Sequence, residues 1–148
     1  MINIKDIYKG FSDKPVIEGV SAEFDTGKCN LIIGASGSGK TVLMKCLVGL
    51  ISPDSGQILY DGEDFTGMSD DNKKEMRRKI GMLFQGSALF DSMTVEQNVM
   101  FPLEMFSNKT RAEKQHRVDE VLDRVNLTGA HKKFPAEISG GMKKRVGI

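Results

Sequence analysis

The clearest chemistry lies in eight consecutive residues, which are Gly34, Ala35, Ser36, Gly37, Ser38, Gly39, Lys40 and Thr41. Glycines at three of these positions allow backbone angles that turn successive N–H groups inward, around phosphate oxygens. Lys40 adds a positive charge for the β- and γ-phosphates, and the Thr41 hydroxyl can reach Mg²⁺. The pattern predicts a site for a nucleoside triphosphate, against the simpler alternative of a glycine-rich turn without a ligand.

The elements on either side of this loop follow from the spacing of apolar residues. Residues 29–33 form a short apolar run that favours a strand leading into the loop, and residues 41–50 have helical periodicity. A strand, the loop and then a helix is the context in which this motif binds phosphate, because the helix N-terminus adds its dipole. The loop alone indicates a P-loop NTPase and does not separate kinases, GTPases, helicases and transport ATPases.

The rest of the chain predicts strands first and helices later. Strands are expected at residues 2–7, 16–24, 56–62 (with its turn) and 80–84, a turn at 25–28, and helices at 70–78, from 94 onward and at 109–127. The last helix has an apolar stripe and i,i+4 ion pairs: Ala112, Val118, Val121, Leu122 and Val125, with Glu113–Arg117 and Glu120–Arg124. Strands with crossover helices, followed by a helical insert, predict an α/β architecture with a helical subdomain.

Composition is that of an ordinary globular domain. The 148 residues are 39% hydrophobic and 28% charged with a net charge of +1, so no global charge favours nucleic acid or an anionic membrane surface. Cys29 and Cys46 lack metal-ligand spacing and lie in apolar contexts, which predicts two reduced, buried thiols. The sequence contains neither a signal-peptide pattern nor an apolar run long enough for a membrane span, so a cytosolic protein is expected.

Two further motifs narrow the class. Gln85 follows the predicted strand at 80–84, where its amide could reach a metal-bound water beside the γ-phosphate; the alternative is a polar strand cap. Ser139 can cap a helix, and the bare N–H groups of Gly140 and Gly141 could approach a phosphate closely; the alternative is a plain N-cap and turn. The order and spacing of the phosphate loop, Gln85 and Ser139 identify the class of protein better than either motif alone. Lys40 and Gln85 are 45 residues apart, and Gln85 and Ser139 are 54 apart.

With these three motifs in this order, the chain resembles the ABC transporter ATP-binding family over its whole length, and they correspond to Walker A, Q-loop and signature. The resemblance implies a P-loop core with an N-terminal antiparallel β subdomain over residues 1–86. It also implies a helical subdomain over residues 87–148 that ends just after the signature, before the Walker B strand. Phe11, 29 residues before Lys40, falls where the family stacks an aromatic ring on adenine, more often a Tyr; a core Phe is the alternative.

The signature departs from the common form. Residues 138–142 read Ile-Ser-Gly-Gly-Met where the family usually has Leu-Ser-Gly-Gly-Gln, and Met142 cannot donate the hydrogen bond of a Gln side chain. Residues 139–145, together with residues 83–95, resemble the Mla/Ttg2/Mkl branch, which is associated with trafficking of phospholipid or other apolar solutes. The subfamily resemblance therefore implies lipid-type transport.

The resemblance also implies cofactors and partners. ATP and Mg²⁺ are expected on residues 34–41, with Thr41 and Gln85 as metal contacts and Ser139, Gly140 and Gly141 of a second copy covering the nucleotide in a head-to-tail dimer. The segment after Gln85, through residues 101–104, would receive a transmembrane permease subunit, which would hold the protein at the inner face of the cell membrane. No nucleic-acid partner is expected.

The residues that complete hydrolysis in the family are expected beyond the signature: an Asp, a Glu and a His. His116 and His131 precede Ser139, so neither matches that His by order, and both are expected on the surface. The chain is therefore expected to be the N-terminal part of a longer ATPase, with little or no turnover on its own.

Three other functions are compatible with the sequence. An ABC ATPase for a different solute would differ only in its membrane partner. A non-transport ABC protein of DNA repair would place a long coiled coil between Walker A and the signature, where only 98 residues separate Lys40 from Ser139; translation-type proteins carry two tandem domains. A nucleotide-binding module without catalysis is the third alternative, and a simple P-loop kinase is disfavoured because it has no use for Ser139–Gly141.

Overall fold

The computed structural model describes all 148 residues and divides into two compact units, Met1–Gly81 and Met82–Ile148. We call them the first and the second unit. No helix in either unit combines the length and the apolar character needed to cross a lipid bilayer.

The first unit contains an antiparallel sheet of four strands. The strands are β1 (Ile2–Phe11), β2 (Lys14–Phe24), β3 (Ser55–Tyr60) and β4 (Glu63–Asp64), in the order β2-β1-β3-β4. Residues 12 and 13 connect β1 to β2 as a hairpin, and Gly27 adopts a positive φ in the predicted turn after β2. The strands expected near residues 2–7, 16–24 and 56–62 are confirmed.

An irregularity in β1 decides which of its side chains are buried. Ile4 and Ile7 are three residues apart, so strict alternation would place them on opposite faces of the sheet, yet both are buried. The register shifts between them, and Asp6 adopts a φ of 47°. Gly56 of β3 approaches this bulge so closely that a Cβ there would lie 2.3 Å from the Asp6 carbonyl oxygen. The bulge restores both isoleucines to the core.

Two helices complete the first unit, α1 (Lys40–Leu47) and α2 (Asp70–Arg77). Helix α1 packs its buried face on the sheet, and the resulting core consists of Ile4, Ile7, Ile17, Leu43, Cys46, Leu47, Ile58 and Phe65. Burial raises the pKa of the Cys46 thiol, as expected for a reduced core cysteine. Both helices begin and end within three residues of the predicted bounds.

The second unit is helical, with α3 (Val95–Phe106), α4 (Arg111–Arg124), a short 3₁₀ turn (Pro135–Glu137) and α5 (Gly140–Val146). Its core consists of Val95, Val118, Leu122, Leu127, Ala130 and Ile138. The predicted stripe of α4 is confirmed for its later members, whereas Ala112 is exposed. Glu120 pairs with Arg124 as expected, at 2.6 Å. The predicted ion pair between Glu113 and Arg117 is wrong, because Glu113 instead accepts hydrogen bonds from Thr110 at the helix start.

Two predicted strands, at residues 29–33 and 80–84, are absent. Backbone groups in a strand need a partner strand, and the four strands of the structure pair only among themselves. Leu31 and Ile33 are each 81% exposed as a result. The prediction that Cys29 is buried is wrong for the same reason, since this residue is exposed in the unpaired segment.

Candidate functional site

Glycine is required at three positions within residues 34–41, for two different structural reasons. Gly37 and Gly39 adopt φ values of 80° and 84°, the left-handed region that other residues rarely enter. Gly39 is also buried, and a Cβ there would lie 2.8 Å from the carbonyl oxygen of Val16 in β2. Gly34 has no positive φ; it leaves room for Ser38, whose Oγ would lie 2.8 Å from an added Cβ. The predicted conformational role is thus correct for two of the three glycines.

Lys40 closes the loop from its first helical position. Its Nζ donates hydrogen bonds to the carbonyl oxygens of Gly34 at 2.8 Å and of Ala35 at 2.6 Å. The N–H of Ser38 also bonds to the Ala35 carbonyl at 3.3 Å, so the loop curves back on itself. An ammonium group has three donors, and two of them here hold the loop in shape. The positive charge therefore lies inside the curve of the loop, where an anion would be bound.

The N-cap of α1 differs from the N-caps of the other four α-helices in the chain. A hydroxyl accepts a hydrogen bond from the first turn in α2, α3, α4 and α5, and the residues that supply it are Ser69, Thr94, Thr110 and Ser139. The N-cap of α1 is Gly39, which has no side chain to do this, and the first turn contains no acidic residue. Its N–H groups are consequently left for an external acceptor, which is how helix N-termini bind phosphate. Thr41, in this first turn, is exposed.

Phe11 lies at the end of β1 in the same unit. Its ring is 48% exposed and belongs to neither core, which leaves the alternative of a core Phe without support. Lys9 Nζ lies over the ring, 5.5 Å from its centroid. A half-exposed ring with one cation over it can stack a planar base.

Gln85 lies in the second unit, in an exposed turn instead of at a strand end. Ser87 and Ala88, just after it, both have positive φ values, 61° and 51°. Such conformations cost free energy in residues with a Cβ and are concentrated at functional sites. The backbone just after Gln85 therefore adopts a specific, strained conformation.

Asn98 organises the segment that follows Gln85, a role that sequence reasoning did not identify. From α3, its Oδ1 accepts the N–H of Phe90 at 2.8 Å, while its Nδ2 donates to the carbonyls of Phe90, Met93 and Thr94. The position is recognisable in retrospect as an amide side chain that directly precedes the apolar run at residues 99–103. Phe90 in turn packs edge-on against Phe101, with ring centroids 4.9 Å apart.

Ser139 caps α5 as predicted, accepting the N–H of Met142 at 3.3 Å. Ser139, Gly140 and Gly141 are all exposed, and a Cβ on Gly140 would meet nothing within 4 Å. Met142, the departure from the usual Gln, packs against the core of the second unit. The helix is therefore anchored on one side and open at its start.

Arg145 anchors the helix after the signature through contacts that the sequence did not predict. Its guanidinium donates to the carbonyl oxygens of Val125 at 2.8 Å and Asn126 at 3.3 Å, directly after α4. The basic residues after the signature are therefore not a uniform exposed patch, since Lys144 is exposed and Arg145 is half-buried. Arg145 connects the end of α4 to the helix that begins at Ser139.

The predicted site residues are divided between the two units. Residues 34–41 and Phe11 belong to the first, whereas Gln85 and Ser139–Gly141 belong to the second. No group of three or more His, Cys, Asp or Glu side chains is placed to hold a metal ion. His131 is half-buried and 3.2 Å from Asp119, and His116 is exposed.

Comparison with known proteins gives close sequence relatives. The probable ribonucleotide transport ATP-binding protein mkl of Mycobacterium leprae is 42% identical over 147 residues, which cover 99% of this chain and 42% of the relative. The methionine import ATP-binding protein MetN of Rhizobium johnstonii is 40% identical over 148 residues, covering 100% of this chain and 41% of the relative. The chain thus spans about two fifths of the length of these curated relatives.

Two solved structures of ABC transporter cassettes are similar to this chain in fold. The dimeric structure of MJ0796, a bacterial ABC transporter cassette, has a TM-score of 0.89 at 28% identity and covers 100% of this chain and 67% of that chain. A post-hydrolysis dimer of MJ0796 bound to ADP and Pi has a TM-score of 0.88 at 27% identity, covering 99% and 67%. These likenesses confirm the α/β class with an antiparallel sheet and helices. Residues 17–148 match the ABC transporter family, and the chain belongs to it.

Proposed function

We propose that this chain binds ATP as the nucleotide-binding part of an ABC transporter. The observation that carries the proposal is the start of α1, the one α-helix of the chain that no side chain caps. Lys40 lies at that start with its ammonium group turned into the loop. Uncapped N–H groups, a helix dipole and a fixed cation together suit a polyphosphate.

Each residue of the loop has a part in this proposal. Gly34, Gly37 and Gly39 let the backbone curve closely enough for N–H groups to face phosphate oxygens, as those of Ala35 and Ser36 would, while the Ser38 N–H bonds to the Ala35 carbonyl and its hydroxyl is left for the nucleotide. Lys40 neutralises charge on the β- and γ-phosphates. Phe11 stacks on the adenine through its exposed face.

The Thr41 hydroxyl and the Gln85 amide would contribute oxygen ligands for Mg²⁺. Bound to the phosphates, Mg²⁺ supplies charge neutralisation at the transferring phosphoryl group. In nucleotide sites Mg²⁺ is held chiefly by substrate phosphates and a few protein oxygens, and these two side chains would supply such oxygens. Gln85 is exposed in its turn and so is accessible to such a ligand.

The second half of the site would come from a second copy. Gly140 and Gly141 have no intramolecular reason to be glycine, since neither has a positive φ nor a neighbour closer than 4.0 Å to an added Cβ. Glycine in a helix costs up to about 1 kcal/mol relative to alanine, so close approach of another molecule is the better explanation. Ser139 and these glycines would cover the nucleotide of the partner in a head-to-tail dimer, and the dimeric MJ0796 cassette supports this arrangement.

The partner in the membrane would be a permease subunit that docks on the segment after Gln85 and holds the protein at the inner face of the cell membrane. An apolar cavity of about 470 Å³ in the second unit supports this, with Phe84, Leu89, Phe90 and Phe101 among its lining residues. Asn98 fixes the course of the segment that borders it.

The transported solute is proposed to be phospholipid or another apolar compound, on the resemblance of residues 83–95 and 139–145 to the Mla/Ttg2/Mkl branch. A different solute is the alternative, because the two relatives carry names that refer to ribonucleotides and to methionine. Reconstitution of the complete transporter in proteoliposomes distinguishes them: stimulation of ATP hydrolysis by phospholipid is expected, and stimulation by methionine or ribonucleotides alone contradicts the proposal.

Nucleotide binding is tested by calorimetric titration of the 148-residue chain with Mg-ATP. Lys40→Met should weaken ATP binding by at least about tenfold, because charge-assisted hydrogen bonds to phosphate contribute roughly 1.5–3 kcal/mol. Lys79→Met, on an exposed lysine, is the matched control and should leave affinity unchanged. Equal ATP affinity in the Lys40→Met variant contradicts the proposed site. We also expect little turnover from these 148 residues alone, and robust multiple turnover contradicts that part.

A further inference from the structure

We infer that Asp54 and Lys9 are positioning residues for base recognition, because together they fix Phe11 relative to the helix that begins at the phosphate loop. This inference rests on the proposed nucleotide site and adds two residues that no motif contains. We call the contacts between Asp54 and residues 8–10 the Asp54 clamp.

The clamp consists of three hydrogen bonds to consecutive residues at the end of β1. One carboxylate oxygen of Asp54 accepts Lys9 Nζ at 2.6 Å, and the other accepts the N–H of Gly10 at 2.7 Å. The N–H of Asp54 donates to the Tyr8 carbonyl at 2.9 Å. Phe11 is the next residue, so hydrogen bonds from the loop that follows α1 restrain the backbone directly before it.

Lys9 connects the Asp54 clamp to the Phe11 ring. Its side chain is only 16% exposed, and its Nζ lies over the Phe11 ring while it bonds to Asp54. The ammonium group is thereby fixed at one end by a carboxylate and attracted at the other by the π-electrons of the ring. These contacts restrain the ring and leave it 48% exposed to a ligand.

The clamp also joins the two proposed parts of the nucleotide site. Asp54 belongs to the loop between α1 and β3, and α1 begins at Lys40. Phosphate contacts would therefore be at one end of α1, while the loop beyond its other end determines where the base-stacking ring lies. The hydrogen bonds from Lys9 and Gly10 hold the pKa of the Asp54 carboxyl below its usual range, because both donors favour the carboxylate form.

The test compares two probes, ATP and inorganic tripolyphosphate, which has the phosphates but no base. Asp54→Asn should weaken ATP binding to the 148-residue chain by about threefold to tenfold, since aromatic stacking of a base amounts to roughly 1–3 kcal/mol and a displaced ring loses part of it. Its affinity for tripolyphosphate should stay within about twofold of wild type. Lys9→Met, which keeps the aliphatic stem and the Gly10 contact, should have a smaller effect in the same direction.

A double-mutant comparison isolates the positioning role. In a Phe11→Ala background, Asp54→Asn should change ATP affinity by less than about twofold, because there is no ring left to position. Asp71→Asn is the matched control: it breaks a Lys–Asp pair of 2.9 Å on α2, outside the proposed site, and should change neither affinity. Thermal midpoints of all variants are measured beside the titrations.

The outcomes separate the two proposals. Equal weakening of ATP and tripolyphosphate by Asp54→Asn, or an undiminished effect in the Phe11→Ala background, overturns the clamp. So does unchanged ATP affinity in both Asp54→Asn and Lys9→Met, while the phosphate site stands if Lys40→Met still weakens both probes. A wild-type chain that binds neither probe overturns the nucleotide site and the clamp together.

Discussion

The chain contains two glycine-bearing helix starts, and they are built in opposite ways. At α1, Gly39 is buried, has a positive φ and approaches the Val16 carbonyl, and no side chain caps the helix. At α5, Ser139 caps the helix, while Gly140 is exposed with open space around it. The first start needs its glycine to fold and leaves its N–H groups without a side-chain cap, which suits the proposed anion. The second satisfies part of its own N-terminus and keeps glycines that its own fold does not require.

This difference indicates where each half of the proposed site is completed. The loop before α1 curves back on itself within one chain, and Lys40 bonds across it. The start of α5 is an open surface suited to close contact with another molecule. A single chain should therefore bind nucleotide at α1, and a second copy should add contacts at α5 only when the two chains meet.

Matched alanine substitutions give the largest expected contrast. Gly39→Ala should lower the free energy of unfolding by at least about 2 kcal/mol, since the left-handed conformation costs a Cβ-bearing residue roughly 1–2 kcal/mol and the Val16 carbonyl must move as well. Gly140→Ala should raise it by about 0.5–1 kcal/mol, because alanine is the better helix former and nothing obstructs its Cβ. Urea unfolding of both variants beside wild type measures the two effects.

The sign of the second effect is the sharper test. If Gly140→Ala destabilises the isolated chain, Gly140 has an intramolecular role and the argument for a partner weakens. If it stabilises the chain yet reduces ATP-dependent dimerisation in sedimentation experiments, the glycine is explained by the interface.

Arg145 tests how firmly α5 is anchored behind its open start. Arg145→Met should lower stability by about 1–2 kcal/mol, because the carbonyls of Val125 and Asn126 lose a charged donor while the aliphatic packing is retained. Lys144→Met is the control on an exposed neighbour and should change stability by less than about 0.5 kcal/mol. Equal effects from the two substitutions would mean that the Arg145 contacts add no stability.

The sequence predicted these helix starts better than it predicted the segments beside them. Local chemistry defines a cap, so Ser139 and the loop at residues 34–41 could be found from residue types a few positions apart. A strand depends on a partner, and the apolar run at residues 29–33 looked like a strand although no strand pairs with it here. Contacts between distant residues, such as Asp54 with Lys9 or Arg145 with Val125, leave no periodic trace in the sequence.

Two substitutions at Ser139 separate capping from nucleotide contact. Ser139→Ala should lower stability by about 0.5–1 kcal/mol, at the low end for a lost N-cap because its hydrogen bond is long, at 3.3 Å. Ser139→Asp should keep the cap, since Asp serves as well as Ser at this position, but would place a negative charge where the partner's phosphates would approach. Unfolding curves and ATP-dependent sedimentation are compared, and a Ser139→Asp variant that still dimerises with ATP would exclude phosphate contact at α5.

The smallest effect concerns α4, whose start already contains the anion that α1 lacks. Glu113 accepts hydrogen bonds from the hydroxyl and the N–H of Thr110, and these bonds hold the pKa of its carboxyl below the usual glutamate range. A carboxyl whose pKa is lower in the folded than in the unfolded chain stabilises the fold above its unfolded pKa, and this contribution is lost as pH falls through the folded pKa. Wild type should therefore lose stability between about pH 5 and pH 3, and Glu113→Gln should lose less over the same window. Thermal midpoints across that window measure the difference; identical pH profiles would mean that the carboxylate at the start of α4 is not held as a bound anion, and would weaken the analogy with a phosphate at α1.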